Sequence, residues 1–170
     1  PRGTDTGETR VIAAVQGVAT AAGCQLVASC DLAVAAEDAR FCTPGVDIGL
    51  FCSTPAVALA RAVPRKAAME MLLLGEMVPA AEAQRLGLVN RLAPREALME
   101  TALGLAARIA SHSAITVRMG KRGFNQQIEL PLTEAYREAA SIMTENLMAR
   151  DAAEGIGAFL EKRHPHWEDR

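Results

Sequence analysis

Short apolar runs separated by turns fill the first third of the chain. Residues 11–15 are β-branched residues and alanines followed by a glutamine–glycine pair, which is typical of a buried strand meeting a tight turn. Residues 31–36 and 40–43 are two further runs with a turn between them, and residues 21–30 pass from small side chains into an apolar helix. This part is predicted to fold as strand, helix, strand, turn and strand.

Beyond the first third of the chain, the apolar residues recur at the spacing of amphipathic helices. Proline or glycine ends the first three helices, at Pro64, Gly75 and Gly87. Ser113 and Asp151 have side chains suited to capping later helices. Helices are predicted over residues 56–63, 65–74 and 79–86, followed by an apolar connector over residues 88–92, and then around residues 98–109, after Ser113, after Pro131 and over residues 151–163.

The helix after Pro131 separates apolar from charged side chains. Its charged residues are three glutamates and one arginine within positions 134–145. We expect the apolar face to be buried and the charged face to lie in water. The apolar face consists of Leu132, Tyr136, Ala139, Met143 and Leu147.

The composition is typical of an ordinary globular domain. Of the 170 residues, 50% are hydrophobic and 22% are charged, and 18 basic against 20 acidic side chains give a net charge of −2. Because positive charge is not clustered, the sequence gives no indication of a nucleic-acid or anionic-membrane partner. No apolar run reaches the roughly 18 residues of a membrane span, and the first residues are polar, unlike a signal peptide. We therefore expect a single globular domain without such partners.

Two residue counts bear on source and compartment. The 33 alanines, and 15 arginines against 3 lysines, are typical of a GC-rich coding sequence, which favours a bacterial source. The four cysteines, at positions 24, 30, 42 and 52, form no C-x-x-C pair and no cluster with histidine. We interpret them as reduced, mostly buried residues in a reducing compartment, and we expect no metal site.

The turn before the first helix is a candidate site. Small residues lead into this helix from Ala21 to Gln25. The first N–H groups of a helix have no partner within it and carry partial positive charge. A carbonyl oxygen placed against them would be stabilised as negative charge develops, as in half of an oxyanion hole. The alternative is that these small side chains serve close packing alone.

Five stretches of the chain are similar to one protein superfamily. They are VIAAVQG from Val11, AAGCQLVASCDLAVA from Ala21, ARFCTPGVDIGL from Ala39, RAVPRKAAMEMLLLGEMVPAAEAQRLGLVNRLAP from Arg61 and EGIGAFLEKRHPHW from Glu154. Across residues 11–167 they resemble the crotonase, or enoyl-CoA hydratase/isomerase, superfamily. The stretches GLFCSTP and ATAAGCQLVASCD are most similar to its subgroup of enoyl-CoA hydratase domain-containing protein 3.

This resemblance implies an α/β fold, in which a crotonase-like spiral of ββα turns is followed by a helical trimerisation region. Residues 1–10 are then an atypical polar segment, residues 11–92 the C-terminal part of the spiral with part of the active site, and residues 93–170 the region of oligomerisation and CoA contact. The resemblance also implies a homotrimer, or a hexamer of two trimers. The expected ligand is an acyl-CoA thioester, with coenzyme A as part of the substrate and no permanently bound cofactor.

The resemblance also implies which positions correspond to the family's oxyanion hole and catalytic glutamates. One backbone donor of the oxyanion hole falls on Ala22, with Gly23 beside it, while the other belongs to a motif ahead of residue 1. The two glutamates with which the hydratases bracket a water molecule fall on Gln25 and Gly45. An amide cannot take a proton from water, and glycine is expected to leave only space. Standard hydratase activity is therefore not expected.

Other residues near these positions are alternative candidates. Asp47 lies two residues beyond Gly45 and is typical of a turn or cap carboxylate. Ser53 falls where dienoyl-type isomerases have a further acid, which a serine without an adjacent base does not replace. Cys24 and Cys52 would need activation to act as nucleophiles, and no histidine lies near either in the sequence.

A second candidate region lies near the C-terminus. Phe159 and Lys162 are three residues apart and so share a helix face. The resemblance implies contacts with the adenine and the phosphates of CoA, often across a subunit boundary. The alternative is an amphipathic terminal helix whose lysine is simply solvated.

Three functional hypotheses follow from these residues. The first is an enzyme of fatty-acid metabolism, of the lyase or isomerase class, that acts on acyl-CoA thioesters. The second is a catalytically inactive trimer that binds acyl-CoA. The third is an RNA-binding homologue, which the near-neutral charge disfavours. The expected location is the cytoplasm in a bacterium or the mitochondrial matrix in a eukaryote.

Overall fold

A computed structural model describes residues 9–170 of the chain. They form two compact units, one of residues 10–106 and one that contains residues 107–170. The predicted α/β class is confirmed. Residues 1–8 of the expected polar segment lie outside the described residues, and the functional division expected at residue 93 stays a prediction.

The strands of the first unit form two small sheets. Its strands are β1 (Ile12–Val15), β2 (Val18–Thr20), β3 (Leu32–Ala36), β4 (Arg40–Cys42), β5 (Val78–Pro79) and β6 (Arg91–Ala93). One sheet is parallel, in the order β1, β3, β6, whereas in the other β2 pairs in parallel with β4, and β4 pairs antiparallel with β5. Strands β1 to β4 therefore alternate between the two sheets, so that each of the first two ββα turns adds one strand to each sheet, and β5 and β6 then extend one sheet each.

The helices of this unit lie close to their predicted positions. They are α1 (Ala22–Ser29), α2 (Ser53–Ala62), α3 (Arg65–Leu74), α4 (Ala80–Leu86) and α5 (Leu98–Ala110), the last of which begins in this unit. The predicted stops are confirmed, since Gly75 and Gly87 end α3 and α4 with φ angles of 67° and 90°, which glycine tolerates. Helix α2 begins before residue 56, because Pro55 fits its first turn without needing an N–H partner.

Small side chains dominate the core of the first unit. All residues of the Ala33–Ala36 stretch in β3 are buried, and β3 lies between two neighbouring strands. Phe41 of β4 and Leu59 of α2 are the largest fully buried side chains of this core. Each contributes about 2–3 kcal/mol through removal of apolar surface from water.

The shortest elements were not predicted from the sequence. Strands β2 and β5 have three and two residues, and β6 overlaps the end of the predicted apolar connector. Such short runs show no periodicity of their own, and they become strands because β4 and β3 offer them hydrogen-bonding edges. Two 3₁₀ helices, Pro44–Ile48 and Arg95–Ala97, were likewise missed.

The second unit consists mainly of three helices, as the sequence predicts. They are α6 (Ala114–Gln127), α7 (Leu132–Leu147) and α8 (Arg150–Glu161). The cap at the start of α6 is confirmed, because the Ser113 hydroxyl accepts a hydrogen bond of 3.3 Å from the Thr116 N–H. In the part of the chain that is described, no helix is both long and apolar enough to cross a membrane.

The expected burial of the apolar face of α7 is wrong. Leu132, Tyr136, Met143 and Leu147 are between 56% and 74% exposed. A different face of α7 packs on α6, where the Ile142 side chain occupies the space beside Gly123, and a Cβ on that glycine would lie 2.7 Å from Ile142 Cδ1. The shape of α6 therefore selects the contact face, and the most apolar face of α7 remains in solvent.

The expected capping role of Asp151 is also wrong. The N-cap of α8 is Ala149, and Asp151 lies in the first turn. Its buried carboxylate accepts hydrogen bonds from the Glu168 N–H at 2.8 Å and the Asp169 N–H at 3.1 Å. The Ser113 hydroxyl, together with these two N–H groups, holds the pKa of Asp151 below its usual range. Asp151 thus stabilises the C-terminal chain rather than the start of its own helix.

This carboxylate predicts a specific loss of stability in acid. The folded-state pKa of Asp151 lies below its usual value of 3.8, so the stabilisation is present above that value and is lost as the pH falls through the folded-state pKa. Asp151→Asn should lower the melting temperature at pH 7. Between about pH 5 and pH 2, the melting temperature of this variant should then fall less than that of the unmodified chain. Thermal denaturation followed by circular dichroism measures both effects.

Glu145→Gln is the matched control for this experiment. Glu145 is an exposed carboxylate of α7 that pairs with Arg122 at 2.8 Å, so its loss should change stability little. An Asp151→Asn variant that remains as acid-sensitive as the unmodified chain would contradict the assignment.

Candidate functional site

The junction between β2 and α1 consists of a single residue, Ala21. Its φ of 45° and ψ of −108° are unusual for a residue with a Cβ. The Ala21 N–H donates to the Cys42 carbonyl at 3.0 Å, and the Ala21 carbonyl accepts from the Gln25 N–H at 3.0 Å. The end of β4 therefore holds the junction in this conformation, which turns the chain sharply into α1.

The start of α1 presents backbone donors without a side-chain cap. No side chain caps the helix, and the N–H groups of Ala22 and Gly23 precede the first helical hydrogen bond, which Gln25 donates. Ala22 is exposed, and a Cβ on Gly23 would meet only the Ala19 methyl, at 4.0 Å. The geometry is that of two donors at the positive end of a helix dipole, open to an approaching oxygen.

The expectation that Gly45 leaves open space is wrong. A Cβ on Gly45 would lie 2.7 Å from the Leu50 carbonyl oxygen and 2.9 Å from Cys52 Sγ. The Leu50 N–H donates to the Gly45 carbonyl at 2.9 Å, which folds the loop back onto the glycine. The position therefore accepts no side chain without movement of the backbone. The glutamate that the resemblance places there has no room in this loop.

The remaining polar candidates are Gln25, Ser53 and Asp47, of which only Asp47 carries a carboxylate. The Gln25 side chain is half-buried and makes no hydrogen bond within residues 9–170. The Ser53 hydroxyl donates to the Phe51 carbonyl at 3.3 Å. Asp47 is exposed in the 3₁₀ helix, with one carboxylate oxygen 3.3 Å from where a Gly75 Cβ would lie.

Three cysteines lie near one another around this turn, which the spacing in the sequence did not indicate. Burial, together with the nearby Cys42 and Cys52, raises the pKa of the Cys24 thiol to about 12. The Cys42 thiol is buried and donates to the Thr20 hydroxyl at 3.3 Å, whereas Cys52 is half-buried. Cys24 is therefore a neutral thiol at pH 7 and is not an activated nucleophile.

The second unit carries the C-terminal candidates by itself. Phe159 of α8 is 82% exposed. The expectation that Lys162 shares a helix face with Phe159 is wrong, because α8 ends at Glu161 and Lys162 is its C-cap residue with a left-handed backbone. Within residues 9–170, the Lys162 ammonium has no hydrogen-bond or ion-pair partner. An exposed aromatic ring and an uncommitted cation suit a ligand that combines a planar ring with an anionic group.

The histidines do not form a ligand cluster. His112, His164 and His166 are exposed, and no group of three or more potential ligand side chains in the described residues could hold a metal ion.

Comparison with known proteins places this architecture in one family. The family model for enoyl-CoA hydratase/isomerase proteins matches residues 4–170. A crystal structure of an enoyl-CoA hydratase from Mycobacterium smegmatis superposes with a TM-score of 0.92 at 52% identity, over 94% of this chain and 62% of that one. The human enoyl-CoA hydratase domain-containing protein 3 superposes with a TM-score of 0.90 at 53% identity, over 94% of this chain and 63% of that one. The expected ββα spiral and the expected subgroup resemblance are confirmed.

The curated relatives are longer than this chain. Enoyl-CoA hydratase domain-containing protein 3, mitochondrial, from Rattus norvegicus is 54% identical over 157 residues, which are 92% of this chain and 52% of the relative. The 2,3-dehydroadipyl-CoA hydratase of Escherichia coli is 37% identical over 94% of this chain and 63% of its own length. The chain thus spans about half the length of the first of these proteins.

The crowding at Gly45 predicts a measurable loss of stability. Gly45→Ala should lower the free energy of unfolding by about 1–3 kcal/mol, because a Cβ would overlap the Leu50 carbonyl and backbone must shift. The matched control is Gly104→Ala in α5, where a Cβ would meet no atom beyond the nearby helix backbone within 4 Å. That variant should gain about 0.5–1 kcal/mol, since alanine is the better helix former. Urea unfolding measures both values, and a Gly45→Ala variant as stable as the unmodified chain would contradict the closed loop.

Proposed function

The chain belongs to the enoyl-CoA hydratase/isomerase family, and from this premise we propose that it binds an acyl-CoA thioester with the carbonyl oxygen against the N–H groups of Ala22 and Gly23. The uncapped start of α1 supports this proposal most directly. Two backbone donors at a helix N-terminus stabilise an oxygen that gains negative charge, and they need no reorganisation to do so. Coenzyme A enters as part of the substrate, and no resident cofactor is proposed.

The chemistry that these residues support is thioester polarisation without standard hydration. Adding water to an enoyl thioester needs one group to take a proton from water and one to deliver a proton to the α-carbon. Gln25 cannot take a proton, and the loop at Leu50 and Cys52 fills the space beside Gly45. We propose that the protein acts on its thioester by another route, with a proton carrier that these two positions do not supply.

A second candidate function is acyl-CoA binding without catalysis. The closed loop at Gly45 favours it, because the loop removes the room for a second carboxylate instead of merely lacking one. The two functions differ in whether any thioester is consumed.

The C-terminal helix is proposed to contact the nucleotide end of CoA. The exposed Phe159 ring offers a surface for the adenine, and the Lys162 ammonium offers a charge for a phosphate. This contact belongs to the second unit and the thioester contact to the first, so each is tested by its own variants.

We propose further that the protein assembles as a homotrimer, alone or paired into a hexamer. The exposed face of α7 supports this assembly, because four large apolar side chains in solvent are typical of a surface that a second copy covers.

For location, we propose the cytoplasm if the source is bacterial and the mitochondrial matrix if it is eukaryotic. The latter follows the mitochondrial designation of the relatives at 52–54% identity.

Hydration of crotonoyl-CoA tests the proposed chemistry. Loss of the enoyl-thioester absorbance should be at least about a hundredfold slower than with a family member that has both carboxylates, because general acid–base catalysis is missing. Full hydratase turnover would contradict the assignment of Gln25 and Gly45. Gln25→Glu is the informative gain-of-function variant, since Gly45→Glu is expected to disrupt the loop.

Binding of coenzyme A tests the C-terminal contact. Lys162→Ala should weaken binding roughly tenfold, which corresponds to about 1.4 kcal/mol. Lys66→Ala is the matched control, because it removes an exposed lysine from α3 and should leave the affinity unchanged. Isothermal titration calorimetry measures both, and equal affinities of the two variants would contradict the contact.

A further inference from the structure

The backbone of Lys162 adopts a conformation that helix ends usually reserve for glycine. Its φ of 55° and ψ of 37° lie in the left-handed region. The Lys162 N–H donates to the Phe159 carbonyl at 3.3 Å, and the Arg163 N–H donates to the Ala158 carbonyl at 3.0 Å. The chain therefore reverses direction at Lys162, and this reversal sets where the lysine side chain begins.

The Arg163 side chain holds the reversal by lying back along α8. Its guanidinium donates to both carboxylate oxygens of Glu154, at 2.6 and 2.9 Å, and its Nε donates to Glu161 at 2.6 Å. The guanidinium lies over Gly157, with Nη2 3.9 Å from where a Cβ on that glycine would lie. Paired hydrogen bonds between charged groups are the stronger kind and fix geometry as well as distance.

Glu154 also holds the chain beyond the reversal. Its carboxylate accepts the His166 N–H at 2.7 Å. Arg163, His166 and the associated hydrogen bonds lower the pKa of Glu154 to about 2, so this carboxylate is ionised throughout the neutral range. One side chain thereby joins the residues on either side of the reversal to the middle of α8.

Trp167 anchors the end of this return segment, which we define as residues 163–167. Its ring packs directly on α8, because a Cβ on Gly155 would lie 3.2 Å from Trp167 Cη2. Its indole N–H donates to the Ser111 carbonyl at 2.9 Å. Glu154 and Gly155 of the EGIGAFLEKRHPHW stretch thus both contact the chain that follows the helix.

We infer that the return segment positions Lys162 for the anionic group of the ligand, with Glu154 and Arg163 as positioning residues. The inference rests on the proposed CoA contact. Arg163 is neutralised by two carboxylates, whereas the Lys162 ammonium has no partner within residues 9–170. The fixed reversal therefore leaves an uncommitted lysine charge at the residue whose N–H bonds to the Phe159 carbonyl, at the end of α8. The ion pair acts on the ligand only through the placement of that lysine.

A double-mutant cycle on coenzyme A binding tests this role. Glu154→Gln should weaken binding roughly fivefold, measured by calorimetry well below the melting temperature of every variant. The double variant Glu154→Gln with Lys162→Ala should bind no more weakly than Lys162→Ala alone, because the effect passes through the lysine. Glu145→Gln, which removes the exposed carboxylate paired with Arg122 in the same unit, is the control and should bind normally. Unchanged binding by Glu154→Gln, or effects that multiply in the double variant, would overturn the inference.

A second measurement separates this inference from the proposed CoA contact. The Cα and Cβ chemical shifts of Lys162 report its left-handed backbone without any ligand. They should move toward values of an ordinary backbone in Glu154→Gln and stay unchanged in Glu145→Gln. If Lys162→Ala binds coenzyme A normally, the proposed CoA contact is wrong. The chemical shifts alone then decide whether the return segment determines the backbone conformation of Lys162. Unchanged shifts in Glu154→Gln would overturn that role as well.

Discussion

The hydrogen bond from the Ala21 N–H to the Cys42 carbonyl is the constraint on which the candidate site of the first unit depends. It joins the junction of β2 and α1 to the end of β4, and it holds Ala21 at a positive φ that costs of order 1 kcal/mol for a residue with a Cβ. Because of this conformation, α1 begins with the N–H groups of Ala22 and Gly23 uncapped by any side chain. The spiral makes this possible, because its second ββα turn places β4 directly beside β2.

The geometry of the same region bears on the proposed chemistry. Backbone donors at Ala22 and Gly23 come from the path of the chain and remain whatever side chains surround them. Acid–base groups, by contrast, need both a suitable side chain and room for it. At Gly45 the Leu50 carbonyl takes that room. In the proposed site, carbonyl binding therefore depends on the backbone and proton transfer depends on side chains, so a change of side chains affects the second more directly than the first.

Sequence patterns predicted those features that depend on neighbouring residues. The stops at Gly75 and Gly87 and the cap at Ser113 follow from local backbone chemistry. The features that were missed depend on distant partners. The backbone N–H groups that bond to Asp151 lie 17 and 18 residues away in the sequence, and the contact face of α7 is selected by a glycine in another helix. Family resemblance identified the position of Gly45 but not the loop that closes over it, because that loop has no periodic pattern.

The exposed apolar face of α7 affects how any stability measurement on this chain should be interpreted. A second copy that covers Leu132, Tyr136, Met143 and Leu147 would bind the folded chain and not the unfolded one. By mass action, its binding free energy then adds to the apparent stability and grows with protein concentration. Melting temperatures of variants are comparable only at one fixed concentration, and a substitution on this face can shift them without changing any contact within the chain.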